Sequence, residues 1–211
     1  MFSNVGAFTG ADNKVTDIFT NVGDFEKRLS LPDGFYTKLL KEDDWSFAIK
    51  ISALFEAACT HTLISKLGTP ELEDSFSHLD QANGRYGKVK LLKCLGVLYP
   101  EQAIFLERLA CLRNQFAHNI SNVELTLDQL IQDMDAHQKK SFVRWAGHGV
   151  VEQAKIGDNK VQREDFVLEN PKFSIWLTAA EVIACMYLEV EQAEYIHKNG
   201  IYQWLKNCID E

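Results

Sequence analysis

Proline and glycine are scarce in this chain, and its cysteines are unpaired in sequence. Four prolines and twelve glycines in 211 residues leave no linker-rich or low-complexity stretch, which excludes a string of loosely tethered modules. The five cysteines, at positions 59, 94, 111, 185 and 208, are scattered. No two have the close spacing of zinc ligands, and an odd, dispersed set reads as reduced thiols of a cytoplasmic protein. We therefore expect no metal site and no cofactor. Positive charge is in the minority: 22 Lys and Arg against 30 Asp and Glu give a formal net charge of −8, which repels nucleic acid overall. No continuous apolar run approaches the length of a membrane span. The most apolar stretch, Leu177 to Val190, is interrupted by Glu181. The first residues lack a basic segment followed by an apolar one, so neither a secretory signal nor a membrane contact is expected. Asn83-Gly84-Arg85-Tyr86-Gly87 is a turn with too few glycines, in the wrong order, for a phosphate-binding loop. Nothing reads as a helix-turn-helix.

What is present points to helices around a real core. Hydrophobic residues make up 46% of the chain, enough for a folded domain rather than a disordered chain. Short helices are predicted over Lys14–Thr20 and from Pro32 to Leu40. Asp43 or Asp44 caps a long helix to about Leu67, with Ala48, Ile51, Phe55, Ala58 and Leu63 as its apolar stripe and Gly68-Thr69-Pro70 as its stop. Further helices are predicted over Pro70–Leu79, Val89–Leu98, Pro100–His118, with Asn119 as C-cap, and Leu125–Val143. Val161–Leu168 reads as a short strand or an irregular segment. Ser174–His197 is a strong helix, and Gly200 separates it from a last one over Tyr202–Cys208. The expected fold is an all-α antiparallel bundle. Residues 1–42 form an N-terminal extension with short helices and 43–136 the core helices. Residues 137–211, a basic segment and a C-terminal helix, complete the domain.

The run Arg113-Asn114-Gln115-Phe116-Ala117-His118 carries the most chemical information. At about 100° per residue, Phe105, Leu109, Leu112 and Phe116 share a narrow sector, the core stripe. Glu107, Cys111, Asn114 and His118 fall roughly opposite. Arg113 lies about 70° from the stripe, where its stem can pack and its guanidinium reach out. Ala103, Ala110 and Ala117 recur every seven residues and would admit a close helix, from this chain or a second copy. An arginine holds phosphate and a histidine moves protons near neutral pH, which is what metal-free RNA cleavage requires. The plainer reading of His118 is a hydrogen-bonded structural residue, which its place opposite the core stripe weakens.

Two other features bear on a site. Glu56 sits among alanines and a cysteine and needs a partner if partly buried. It either forms a salt bridge to a neighbouring helix or orients Arg113 or His118. From His137 to Arg163 the bases Lys139, Lys140, Arg144, Lys155, Lys160 and Arg163 face only two acids, Glu152 and Asp158. That segment is +4 in a chain whose remainder is −12. Lys139, Lys140, Arg144 and Trp145 are candidate RNA-binding residues, since bases with interleaved aromatics hold phosphates and stack nucleobases. The competing reading is a solvated basic face with Phe142 and Trp145 packed inward.

The motif, with its surroundings, resembles a known family. Arginine, a polar residue, and histidine five positions after the arginine near a helix end is similar to the signature of the HEPN superfamily. Ala53-Leu54-Phe55-Glu56-Ala57, Lys88-Val89-Lys90-Leu91-Leu92 and Leu95-Gly96-Val97-Leu98 precede it in the order seen in the branch containing the mannitol operon repressor family. The resemblance covers roughly Asp43 to Asn119. It implies an all-helical, commonly dimeric protein, and in many members a metal-independent ribonuclease with the motifs of two copies meeting in a cleft. Carried over, Arg113 binds the scissile phosphate, His118 is general acid or base, and Asn114 positions one of them. The resemblance also implies a homodimer acting on RNA, as a toxin or phage-defence effector with an antitoxin or regulatory partner. The alternative it leaves open is a non-catalytic regulatory or protein-interaction module.

Overall fold

Helices make up nearly all the regular structure, in the order α1 (Ile18–Arg28), α2 (Phe35–Lys38), α3 (Asp44–Leu67), α4 (Glu73–Ser77), α5 (Lys88–Cys94), α6 (Pro100–Ala117), α7 (Leu127–Asp133), α8 (Ala136–Ala146), α9 (Arg163–Glu169) and α10 (Pro171–Ile209). Between α8 and α9 a hairpin pairs β1 (Gln153–Ile156) with β2 (Asn159–Gln162), Gln153 opposite Gln162. This is a computed structural model that describes residues 18–118, 120–156 and 159–209, with the side chains of 120–121, 154–160 and 202–209 outside that description. The fold is all-α, as the periodicity predicts.

Local chemistry sets the inner helix. The Asp43 carboxylate accepts the Ser46 N–H at 2.8 Å and opens α3; Gly68, at φ 66°, closes it in the left-handed region that glycine tolerates best. The predicted stripe of α3 is buried, together with Phe47, Leu54 and Cys59. That wide apolar face packs on α6 on one side and α10 on the other, and α1 packs on α10. Trp45 Nε1 donates to the Phe116 carbonyl at 3.1 Å, and the Phe55 ring meets Phe105 edge-on at 5.7 Å. Position rises along α3 as it falls along α6, so the two run antiparallel.

One core extends from Val22 of α1 to Val190 of α10, joining the described part of the N-terminal extension and the C-terminal segment to the central helices. Polar anchors fix the same joints. Lys172 Nζ pairs with Asp44 at 2.6 Å and donates to the Glu42 carbonyl at 2.7 Å. The Tyr36 hydroxyl donates to the Trp176 carbonyl, while Trp176 Nε1 donates to the Tyr36 carbonyl at 3.0 Å. Full burial pushes the Tyr36 phenol well above its usual pKa.

Several predicted boundaries move, each for a physical reason. Residues 14–17 of the first predicted helix lie outside the described residues, and α1 continues to Arg28 because Val22 and Phe25 find a covering surface on α10. Helix α5 ends four residues before Leu98. Gly96, at φ 73°, lets the Val97 N–H return to the Leu92 carbonyl at 2.9 Å, and Val97 and Leu98 drop into the core. The single helix predicted over Leu125–Val143 is two, because Thr126 with Gln129 and Asp135 with Gln138 each form a capping box. Val161–Leu168 divides between β2 and α9. Gly200 does not end α10, whose backbone stays helical to Ile209; one interior glycine costs only about 1 kcal/mol. Both α3 and the 171–201 part of α10 are long and apolar enough to cross a membrane by length and composition, which the search for unbroken apolar runs missed. Here 61% of each such window is buried inside the protein, as befits a helix with neighbours on several sides.

Candidate functional site

The motif lies on the last turns of α6, and that end is pinned. Pro100 starts the helix, where its missing N–H is harmless. At the other end the last helical bond closes, and the two carbonyls beyond it are taken up by side chains. The His118 N–H reaches the Asn114 carbonyl at 3.0 Å, Asn122 Nδ2 donates to the Gln115 carbonyl at 2.7 Å, and Trp45 takes that of Phe116. His118 is itself the cap residue; Asn119, the predicted cap, lies outside the described residues.

With the backbone held, the side chains divide as the helical wheel predicts. Phe105, Leu109, Leu112 and Phe116 are buried, whereas Asn114, Gln115 and His118 are exposed. Arg113 is half-buried and has no ion pair among the described residues; of the described arginines, only Arg28 pairs with carboxylates, those of Glu191 and Glu194. Arg113 and His118 are about 7.5 Å apart along the axis and about 140° apart around it. In the last turn, Asn114 and Ala117 stand between them on the wheel, both exposed. Ala103 and Ala110 are covered within the chain, so Ala117 alone of the three alanines stays open to a second copy.

Glu56 belongs to a different neighbourhood. It lies 3.8 Å from the ammonium of Lys88, a lysine whose side chain is 1% exposed and which also donates to the Ser77 carbonyl at 3.1 Å. From the antiparallel register of α3 and α6, Glu56 is about 12 Å along the axis from the level of Arg113. It forms the salt bridge to a neighbouring helix, and within one chain it does not orient the motif. Glu56 and Lys88 instead line a cavity of about 490 Å³ with Arg28, His61 and Glu73. Burial, and then the charge of Arg28, hold the His61 imidazole below its usual pKa. The unfolded chain therefore takes up a proton at a higher pH than the native one, and stability falls as pH drops below about 6.5. Unfolding by urea at pH 7.5 and pH 5.5 is expected to show a larger acid loss for wild type than for His61→Gln. Equal losses would remove His61 as the cause.

The basic segment corrects one expectation. Trp145 is not an open stacking platform: only 8% of it is accessible, with its ring 5.0 Å from Phe142 and 6.1 Å from Phe105. Its apolar ring fills the seam between α8 and α6. Lys140 and Arg144 are exposed and Lys139 is partly so. Arg144 faces α6 across a second cavity, of about 500 Å³, whose α6 wall includes Arg108 and Cys111. Sequence reading passed over Arg108. Its signal was the spacing from Arg108 to Cys111, Gln115 and His118, which places all four in one line.

The cysteines differ sharply in environment. Cys59 is fully buried, which pushes its thiol up to about 12, while Cys94 and Cys111 are exposed. Alkylation of the native protein at pH 8, mapped by peptide mass, is expected to label Cys94 and Cys111 and spare Cys59 until denaturant is added. Labelling of Cys59 at the same rate would contradict its burial. Among the described residues, no group of three His, Cys, Asp or Glu side chains is placed to hold a metal ion. No family model, curated protein or solved structure matches the chain, so a functional reading stands on the residues themselves.

Proposed function

We propose that the protein is a metal-independent endoribonuclease of the HEPN type, acting as a homodimer. One observation carries the reading: Arg113, Asn114 and His118 stand at the pinned, solvent-facing end of α6, and Arg113 is without a carboxylate partner among the described residues. A guanidinium left unneutralised is available to a phosphate, and an exposed imidazole about one and a half turns further along the helix is available for proton transfer. The 2′-hydroxyl of RNA attacks the adjacent phosphorus in line, and the 5′-oxygen of the next nucleotide leaves. Arg113 stabilises the charge that gathers on the phosphoryl oxygens. His118 of one copy takes the hydroxyl proton and that of the second protonates the leaving oxygen. The products are a 2′,3′-cyclic phosphate and a 5′-hydroxyl.

A non-catalytic regulatory module is the second reading, favoured by the net charge of −8 and by the absence of Arg113 and His118 from the walls of both described cavities. Incubating the purified protein with a mixed RNA pool in EDTA separates the two. Cleavage leaving cyclic phosphate ends is the expected result. An intact pool after exposure to the dimer would favour the regulatory module.

A further inference from the structure

The face of α6 that carries His118 extends well beyond the motif. Ile104, Arg108, Cys111, Gln115 and His118 recur at intervals of four and three residues, which aligns them along the helix. All but the partly buried Ile104 are exposed. At its N-terminal end this line forms one wall of the cavity of about 500 Å³; Gly84, from the turn before α5, and Ser141, Arg144 and Trp145 of α8 form the others. Arg108 and Arg144 thus border the same space, and neither pairs with a carboxylate among the described residues. Glu107 is the single acid on the wall, so the cavity is net positive within an acidic chain. Two uncommitted guanidiniums select for a phosphate-bearing ligand.

We propose that this cavity holds one nucleotide unit of a single-stranded RNA whose backbone continues along Cys111 and Gln115 to Asn114 and His118. The ligand's identity rests on the ribonuclease reading; the anion site rests on the two arginines. The volume is that of a small-ligand pocket, suited to one splayed nucleotide rather than to a duplex. Arg108 and Arg144 grip the phosphate, and their planes offer the stacking surface that the buried Trp145 does not. Arg108 and His118 are about 15 Å apart along the helix, a span that a short extended strand bridges. The site therefore sets where the strand enters, and Arg113 and His118 set where it is cut.

The test uses the full chain carrying His118→Ala, so that RNA stays intact, and a short single-stranded oligonucleotide followed by fluorescence anisotropy over a range of salt. Adding Arg108→Ala or Arg144→Ala is expected to weaken binding about tenfold or more and to lower the salt dependence by about one ion each. Both side chains reach the surface of the cavity, and far-UV circular dichroism checks that the fold is kept. Bound RNA is also expected to protect Cys111 from iodoacetamide while Cys94 reacts at its free rate. RNA that binds with unchanged affinity to both arginine variants and leaves Cys111 reactive overturns the cavity as its site. In that case, cleavage by the wild type leaves the ribonuclease reading intact. Weakened binding by the arginine variants together with normal cleavage by His118→Ala keeps the cavity and overturns the catalytic assignment. No RNA binding at all overturns both.

Discussion

His118→Ala is expected to lower the rate of RNA cleavage by about 10²- to 10⁴-fold, the usual contribution of a positioned general acid or base. The loss should appear in kcat, because an exposed imidazole that shuttles a proton adds little to ground-state binding. His118 is exposed and its backbone N–H is already held by the Asn114 carbonyl, so truncation of the ring leaves the end of α6 in place. Arg113→Ala is expected to cost about 10²- to 10³-fold, as for loss of one group that stabilises a developing oxyanion. Arg113→Lys should recover only part of this, since an ammonium keeps the charge but lacks the fork that matches phosphate. Gel-based initial rates, with thermal melts as the control for folding, decide the matter. Full activity in His118→Ala would remove it from the chemistry, whatever became of Arg113.

Phe105→Ala should have the largest effect on stability, a loss of about 3–5 kcal/mol. Phe105 is wholly buried, and its ring lies 5.7 Å from Phe55, 6.1 Å from Trp145 and 6.0 Å from His148. These rings come from α3, α8 and the turn after α8, so one deletion opens a void where three segments meet α6. His148 is itself held by Glu181 of α10 at 2.9 Å, which hinders the wall from collapsing into that void. For a chain of this size the loss corresponds to a fall in Tm of roughly 6–20 °C. Calorimetry measures it directly. A fall of only a degree or two would mean that Phe105 is not the junction of α3, α6 and α8. Because Phe105 lies on the opposite side of α6 from His118, residual activity below the melting transition should be close to normal.

The legible parts of the fold were those written in neighbouring residues. Asp43 and Gly68 mark α3 to within a residue, and Pro100 marks the start of α6. The break between α7 and α8 was legible too, in Thr126–Gln129 and Asp135–Gln138, but apolar periodicity across the break hid it. Gly200 misled in the opposite sense, because one interior glycine costs a helix only about 1 kcal/mol and need not end it. For the candidate site, the exposure of Asn114 and His118 followed from the wheel. The fate of Trp145 did not, since a tryptophan in a basic run serves equally well as a stacking surface or as a core plug.

By itself the sequence determined the helical class, the ends of the inner helix and the open side of the motif. These depend on caps, glycine conformation and a 3.6-residue period, all contained within a few neighbouring positions. Only the tertiary structure decided that Glu56 meets Lys88 rather than Arg113, that Trp145 is buried against Phe105, and that Arg108 comes to share a cavity with Arg144. Each of these joins residues from different helices. Which helices meet, and at what height, is set by how their apolar faces cover one another across the whole chain, and no local pattern carries that information.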